Sequence, residues 1–287
     1  MVGNPGSGKT MLAKRIVTIL PDLNFEEALE VTKIYSVAGK NYHQNIIQER
    51  PFRSPHHTIT ATSIVGGGAI PKPGEVSLAH NGVLFLDELP EFKRSSLEVL
   101  RGPLEDKFVS ISRLQSNFTY PCNFMLVGSM NPCPCGYLGN KDKKCCCSPR
   151  QIQNYRNKIS GPLLDRIDIH IEIPNINFKD FDSFGEESSE QIKARVINAR
   201  NIQKERYLKH GIYTNSELST KLIEKFCQLS INSKSILEKY FNQHHLSARS
   251  YTKILKIART IADLDNKNNI QDSHLLEALR YRFFDKK

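Results

Sequence analysis

The 287-residue chain has no apolar run approaching the ~18 residues that a membrane-crossing helix requires, and no membrane partner is expected. It has no internal repeat and no low-complexity tract, so repeat arrays and compositionally biased tails are excluded. No secretory leader is legible at the front, where a glycine-rich loop stands instead of a charged and then apolar stretch. A cytoplasmic protein is the expectation. Acid is in short supply: 30 Asp and Glu face 40 Lys and Arg, a net charge of +10. That excess favours an acidic partner, nucleic acid first, although a lysine-rich surface without a partner gives the same total. The remaining composition, 39% hydrophobic and 24% charged, suits one large globular domain or two smaller ones.

The chain is organised around its first ten residues. Gly3-Asn4-Pro5-Gly6-Ser7-Gly8-Lys9-Thr10 fits the phosphate-loop pattern G-x-x-x-x-G-K-[ST] in full. Glycines let backbone N–H groups curl round a phosphate, and the helix that follows, starting near Lys9 and running through Met11 to Val17, turns its positive end to the same anion. Lys9 is placed to reach the β- and γ-phosphates of ATP, and the Thr10 hydroxyl to sit on Mg²⁺. Only Met1 and Val2 precede Gly3. The strand that positions such a loop is therefore expected to be missing or reduced to its last residue, as in a fragment of a longer protein.

Val83-Leu84-Phe85-Leu86-Asp87-Glu88 reads as a central parallel strand, buried on both faces, that delivers two acids at its C-terminal end. Paired with the phosphate loop, Asp87 is the candidate Mg²⁺ holder and Glu88 the candidate general base for water. A second buried strand runs over 123–129 and ends at Met130-Asn131-Pro132, which makes Asn131 a candidate γ-phosphate or water contact beside a plain Asn-Pro turn.

Between these landmarks, residues 24–36 predict a helix capped by Asn24, and 94–104 predict one short helix. The polar stretch 39–80, with His56 and His57 and three consecutive glycines, reads as a functional loop or insertion facing a nucleotide or nucleic acid. Residues 108–120 alternate as a hairpin flanked by Lys107 and Arg113. Five of the 7 cysteines fall between Cys133 and Cys147. Two C-x-C pairs, Cys133/Cys135 and Cys145/Cys147, offer a tetrahedral Zn²⁺ site, but C-x-x-C is the usual spacing, and plain reduced thiols fit equally. Residues 175–188 read as a linker. From 189 the pattern is helical, over about 189–209, 217–228, 232–244, 248–264 and 272–283, a small bundle. Arg249 stands in a helix's first turn, against the dipole, which suggests a partner elsewhere.

Taken in order, these stretches resemble an AAA+ ATPase, more narrowly the magnesium-chelatase-like group of the ComM and YifB type. The resemblance rests on Arg50-Pro-Phe-Arg-Ser-Pro-His-His57, Gly66-Gly-Gly68, Leu78 to Phe92, Asn131-Pro-Cys-Pro-Cys-Gly136, Ser160-Gly-Pro-Leu-Leu-Asp-Arg-Ile-Asp168, Leu246-Ser-Ala-Arg249 and Ala258 to Leu264. It implies an α/β fold, a P-loop AAA+ parallel-sheet core over 1–174 followed by an all-helical lid over 189–287. Gly3–Thr10 is similar to Walker A and Asp87-Glu88 to Walker B, Asn131 to sensor 1, Arg166 to the arginine finger acting on a neighbouring subunit, and Arg249 to sensor 2. The resemblance further implies a ring, usually a hexamer. The 39–80 stretch would be a helix-2 insertion and the 108–120 hairpin a pore-facing element, with Lys107 and Arg113 contacting DNA. Members of this group carry a further N-terminal domain before the Walker A strand, which the resemblance leaves outside this chain. Three functions stay open: a DNA-translocating motor, a chelatase-type protein-remodelling motor, and a nucleotide-binding remnant without activity.

Overall fold

A computed structural model describes residues 1–40, 45–68, 70–113, 116–140, 142–174, 187–244 and 246–282. The chain divides into two compact units. The first is built from Met1–Thr18, Asp22–Arg166 and a segment beginning at Glu172; the second holds Ile19–Pro21, Ile167–Ile171 and the C-terminal helices.

The first unit opens with β1 (Val2–Gly3), α1 (Lys9–Ile19) and α2 (Phe25–Val37). Asn24 caps α2 in a full capping box with Glu27, so the helix starts where the sequence predicts. There follow β2 (Phe52–Arg53), α3 (Ala61–Val65), β3 (Gly66–Gly67), β4 (Lys72–Pro73), α4 (Glu75–Leu78) and β5 (Val83–Leu86). The polar stretch 39–80 thus contains regular structure and gives the sheet a strand. Phe52 stacks on Phe85 at 6.0 Å between ring centres, which explains why an otherwise polar segment is drawn into the core.

Next come α5 (Arg94–Glu98) and α6 (Arg101–Asp106) where one helix was expected. Pro103 lacks an N–H, and its ring crowds the carbonyl four residues back at Val99, the residue that caps α5. β6 (Phe108–Arg113) and β7 (Ser116–Pro121) pair antiparallel as a hairpin, with Val109 opposite Tyr120. β8 (Met125–Gly128), α7 (Pro149–Arg156), α8 (Gly161–Leu164) and β9 (Glu172–Ile173) complete the unit.

The main sheet is parallel. β2 pairs with β5 and β5 with β8. Past β8, Met130 bridges Val2 in parallel, and β1 pairs on its other side with β9. The strands therefore run in the order β2-β5-β8-β1-β9. All four residues of β5 are buried, the mark of a strand covered on both faces. β1 is short but paired on both sides, and that fixes the start of the phosphate loop.

The second unit comprises α9 (Ser189–Tyr207), α10 (Thr220–Phe226), α11 (Ile231–His244), α12 (Ala248–Leu264) and α13 (Asp272–Arg280). α12 packs against α9, α10 and α13 around Tyr207, Ile254, Ala258 and Leu275. The expected linker at 175–188 lies outside the described residues except for its last two positions.

Candidate functional site

Gly3 to Thr10 wraps from β1 into α1. Gly6 and Gly8 both sit at φ +81°, a left-handed conformation that L side chains rarely adopt. Gly3 is fixed for a different reason: a Cβ there would lie 2.8 Å from both the Ile173 carbonyl and Ser7 Oγ. Asn4 and Ser7 are buried, and Ser7 Oγ has no hydrogen-bond partner. A cradle of left-handed glycines with an orphaned hydroxyl is suited to an oxyanion ligand. Met11 is half-exposed on the first turn of α1.

The Lys9 ammonium is the hub. It donates to the carbonyls of Gly3 and Asn4, each at 2.8 Å, and to Asn131 Oδ1 at 3.3 Å. Burial lowers its pKa from the ordinary lysine value, while Asp87 and Glu88 pull the other way. Sequence positions 122 residues apart are thereby joined at one charge.

The acids emerge where β5 ends. Thr10 Oγ1 donates to Asp87 Oδ2 at 2.8 Å. The other Asp87 oxygen accepts from Ser129 Oγ and from the Glu88 backbone N–H at 3.1 Å. Glu88 holds φ 53° and ψ 50°, a left-handed conformation without a glycine. That geometry turns the chain sharply after Asp87 and sets the Glu88 carboxylate apart from it. Ser129 was missed in the sequence. It is buried at the end of β8 and braces Asp87. Its only sequence signal is its place at a strand tip, two residues before Asn131.

Asn131 is supported from behind. Tyr155 on α7 is buried, and its hydroxyl is hydrogen-bonded to the Asn131 backbone. Burial pushes the Tyr155 hydroxyl up to about 12, so it stays neutral, while the hydrogen bond from the Asn131 backbone pulls the other way. α7 itself begins at the capping box of Ser148 with Gln151, which sets the register that brings Tyr155 inward.

Residues 1–181 match the protein family described as magnesium chelatase, subunit ChlI, and residues 186–282 match the C-terminal region of that subunit. The chain belongs to this ChlI family. It is 47% identical over its whole length to protein YifB of Escherichia coli, covering 56% of that protein. It is 45% identical over 98% of its length to competence protein ComM of Haemophilus influenzae, covering 54% of it. Magnesium-chelatase subunit ChlI of Euglena gracilis is 20% identical over 84% of this chain. The chain thus spans about half the length of its YifB and ComM relatives. With its parallel sheet and C-terminal helical unit, this ChlI-family chain is an AAA+-type ATPase, for which ATP and Mg²⁺ are the expected ligands. No helix among the described residues is long and apolar enough to cross a membrane.

Arg166, after α8, gives one nitrogen to the Pro162 carbonyl and another to Glu105 Oε2, both at 2.8 Å, and its side chain is 10% exposed. Its Nε is buried with no hydrogen-bond partner. Arg249 is exposed on the first turn of α12 in the helical unit, where Ser247 caps the helix. Lys107 is exposed in a left-handed conformation between α6 and β6. Arg113 ends β6 opposite Ser116. The His56 and His57 rings lie 4.0 Å apart, tilted at 37°, and His57 meets Phe92 edge-on. Cys133, Cys135, Cys145 and Cys147 place their sulfurs within 4.8 Å of one another.

Proposed function

We propose that the chain is the ATP-hydrolysing core of a ring-forming, hexameric motor that moves along DNA at branched or forked junctions, a reading supported by its 45% identity to a competence protein. The observation that carries the ATPase part is the convergence of Lys9, Thr10, Asp87 and Asn131 through hydrogen bonds of 2.8–3.3 Å. Four residues from three separate segments meet at the C-terminal edge of one parallel sheet, beside a loop fit for an anion.

In this reading Lys9 and the loop N–H groups of Gly6, Ser7 and Gly8 bind the phosphates of ATP. Thr10 and Asp87 would hold Mg²⁺, which would supply neutralisation of phosphate charge. Glu88 accepts a proton from the attacking water, and Asn131 orients that water or the terminal phosphate. Asp87 is aimed by Ser129 and the Glu88 N–H. Arg166 serves a neighbouring subunit's site, for which it must leave Glu105. Arg249, on the first turn of α12, is the sensor-2 candidate of this reading. The domain frame is a core over 1–174, a linker over 175–188 and a lid over 189–287.

The DNA part rests on the charge of +10 and on the hairpin. Phe108 on β6, next to Lys107 in sequence, is 48% exposed, and Phe118 on β7 is 38% exposed. Aromatic faces with neighbouring cations are what a nucleic-acid strand stacks and pairs against. Binding of forked DNA by the purified chain, titrated against salt, tests this part. We expect affinity that falls steeply as salt rises and drops for Lys107→Ala and Phe118→Ala. No binding at low salt would remove DNA from the account. The match to magnesium-chelatase subunits favours a second reading, a protein-remodelling ATPase, in which DNA leaves turnover unchanged.

A further inference from the structure

Cys133, Cys135, Cys145 and Cys147 sit in the loop between β8 and α7 and contribute nothing to the nucleotide chemistry above. All four are free thiols. Their sulfurs are 3.4 Å apart for Cys133 and Cys135, 3.7 Å for Cys133 and Cys145, and 3.6 Å for Cys135 and Cys145. A tetrahedral site with zinc–sulfur bonds of about 2.3 Å has sulfur–sulfur edges of about 3.8 Å. The quartet is therefore spaced as the corners of such a site, and too widely for a disulfide.

The backbone is also arranged for thiolates. The N–H of Leu138 points at Cys133 Sγ at 3.3 Å, and that of Cys147 at Cys145 Sγ at 3.4 Å. The N–H groups of Tyr137 and Cys146 are hydrogen-bonded to the Cys135 thiol. Cys146 itself is exposed and outside the quartet.

The location gives the cluster a purpose. Its first pair begins two residues after Asn131, and its second pair ends one residue before Ser148, the cap of α7. Between the pairs, Gly136 at φ +84° presses on the phosphate loop: a Cβ there would lie 2.6 Å from Pro5 Cγ. The loop thus touches Pro5, carries Asn131 and launches the helix that returns Tyr155 to Asn131.

We propose that these four cysteines bind one Zn²⁺ as a closed structural site that fastens this loop behind the phosphate loop. Four thiolates in a tetrahedron select Zn²⁺ among common divalent ions, and a site with no open position performs no chemistry of its own. The inference does not rest on the motor reading, because metal content is measured without nucleotide or DNA.

The test is metal analysis of the full chain purified without added chelator, with Co²⁺ exchange as a spectroscopic probe. The expected result is one zinc per chain. The Co²⁺ form should show the thiolate charge-transfer and tetrahedral d–d bands of a four-sulfur site. Cys146→Ser should keep the full metal content, while Cys135→Ser and Cys145→Ser lose it. Should those two variants fail to fold, the wild-type metal content and Co²⁺ spectrum still decide. A folded wild-type chain without stoichiometric metal, or one loaded with iron, would overturn the proposal. So would a disulfide among the four.

Discussion

Thr10 and Asp87 stand 77 residues apart in sequence and share a hydrogen bond of 2.8 Å between hydroxyl and carboxylate. This contact ties the first turn of α1 to the tip of β5. It also places one hydroxyl and one carboxylate where a hard divalent cation takes oxygen ligands. Thr10→Ala and Asp87→Asn should leave the fold intact, since the pair is exposed and worth about 1 kcal/mol. They should instead abolish the Mg²⁺ dependence of nucleotide binding. Calorimetric titration of ATP with and without Mg²⁺ checks this.

Glu88 departs from an ordinary backbone conformation with φ at 53°. A residue held there at a strand tip is a sign of a functional constraint. Glu88→Gln keeps the side-chain shape and removes the base. ATP affinity should stay within about twofold while single-turnover hydrolysis falls by about 10²-fold or more. Equal losses in affinity and rate would assign Glu88 to binding instead.

Gly136 is the contact between the cysteine loop and the phosphate loop. Gly136→Ala adds a methyl at 2.6 Å from Pro5 Cγ on a backbone with φ +84°. Both effects oppose the native arrangement, and a loss of about 1–3 kcal/mol is expected. Because Pro5 lies in the phosphate loop, ATP affinity should weaken as well. Chemical denaturation and nucleotide titration on the same samples check the two effects together.

Tyr155→Phe keeps the buried ring and deletes the hydroxyl that supports the Asn131 backbone. A stability loss of about 1 kcal/mol is expected. The pH dependence follows from the direction of the shift. The folded-state value is raised to about 12 from 10, so this tyrosine's contribution is complete below pH 10 and is lost as pH rises through 12. Wild-type stability should fall over that alkaline window, and Tyr155→Phe should reduce the slope. Denaturation curves between pH 8 and about 12 measure it.

Asp263 in the helical unit is fully buried and receives Arg206, Arg259 and Asn215 at 2.6–3.1 Å. Asp263→Ala removes the carboxylate from the Arg259 guanidinium, whose side chain is 3% exposed and which keeps the Lys267 and Asn268 carbonyls. About 3–5 kcal/mol of stability should be lost, visible as a lowered melting transition.

The residues most legible in the sequence are those whose chemistry dictates type and spacing together. The phosphate loop, the apolar strand before Asp87 and Glu88, and the capped helix at Asn24 belong here. Residues acting through a neighbour were not legible. Ser129 and Tyr155 matter because of what they touch, and nothing in their local pattern says so. The stretch 39–80 is polar along most of its length, and its pattern does not announce β2, where Phe52 stacks on Phe85 in the sheet. Residues 94–104 misled: their apolar spacing is helical throughout, and only Pro103 breaks the run. The cysteine spacing departs from the usual pattern, and three-dimensional proximity supplied what spacing did not.

The central claim is an ATPase whose turnover is coupled to DNA. The direct measurement is steady-state ATP hydrolysis by the purified chain with and without forked DNA, with Glu88→Gln and Arg166→Ala alongside and circular dichroism on every sample. The account predicts hydrolysis that rises with DNA and is lost in both variants while the fold persists. A folded chain that hydrolyses ATP at the same rate with and without DNA would contradict it.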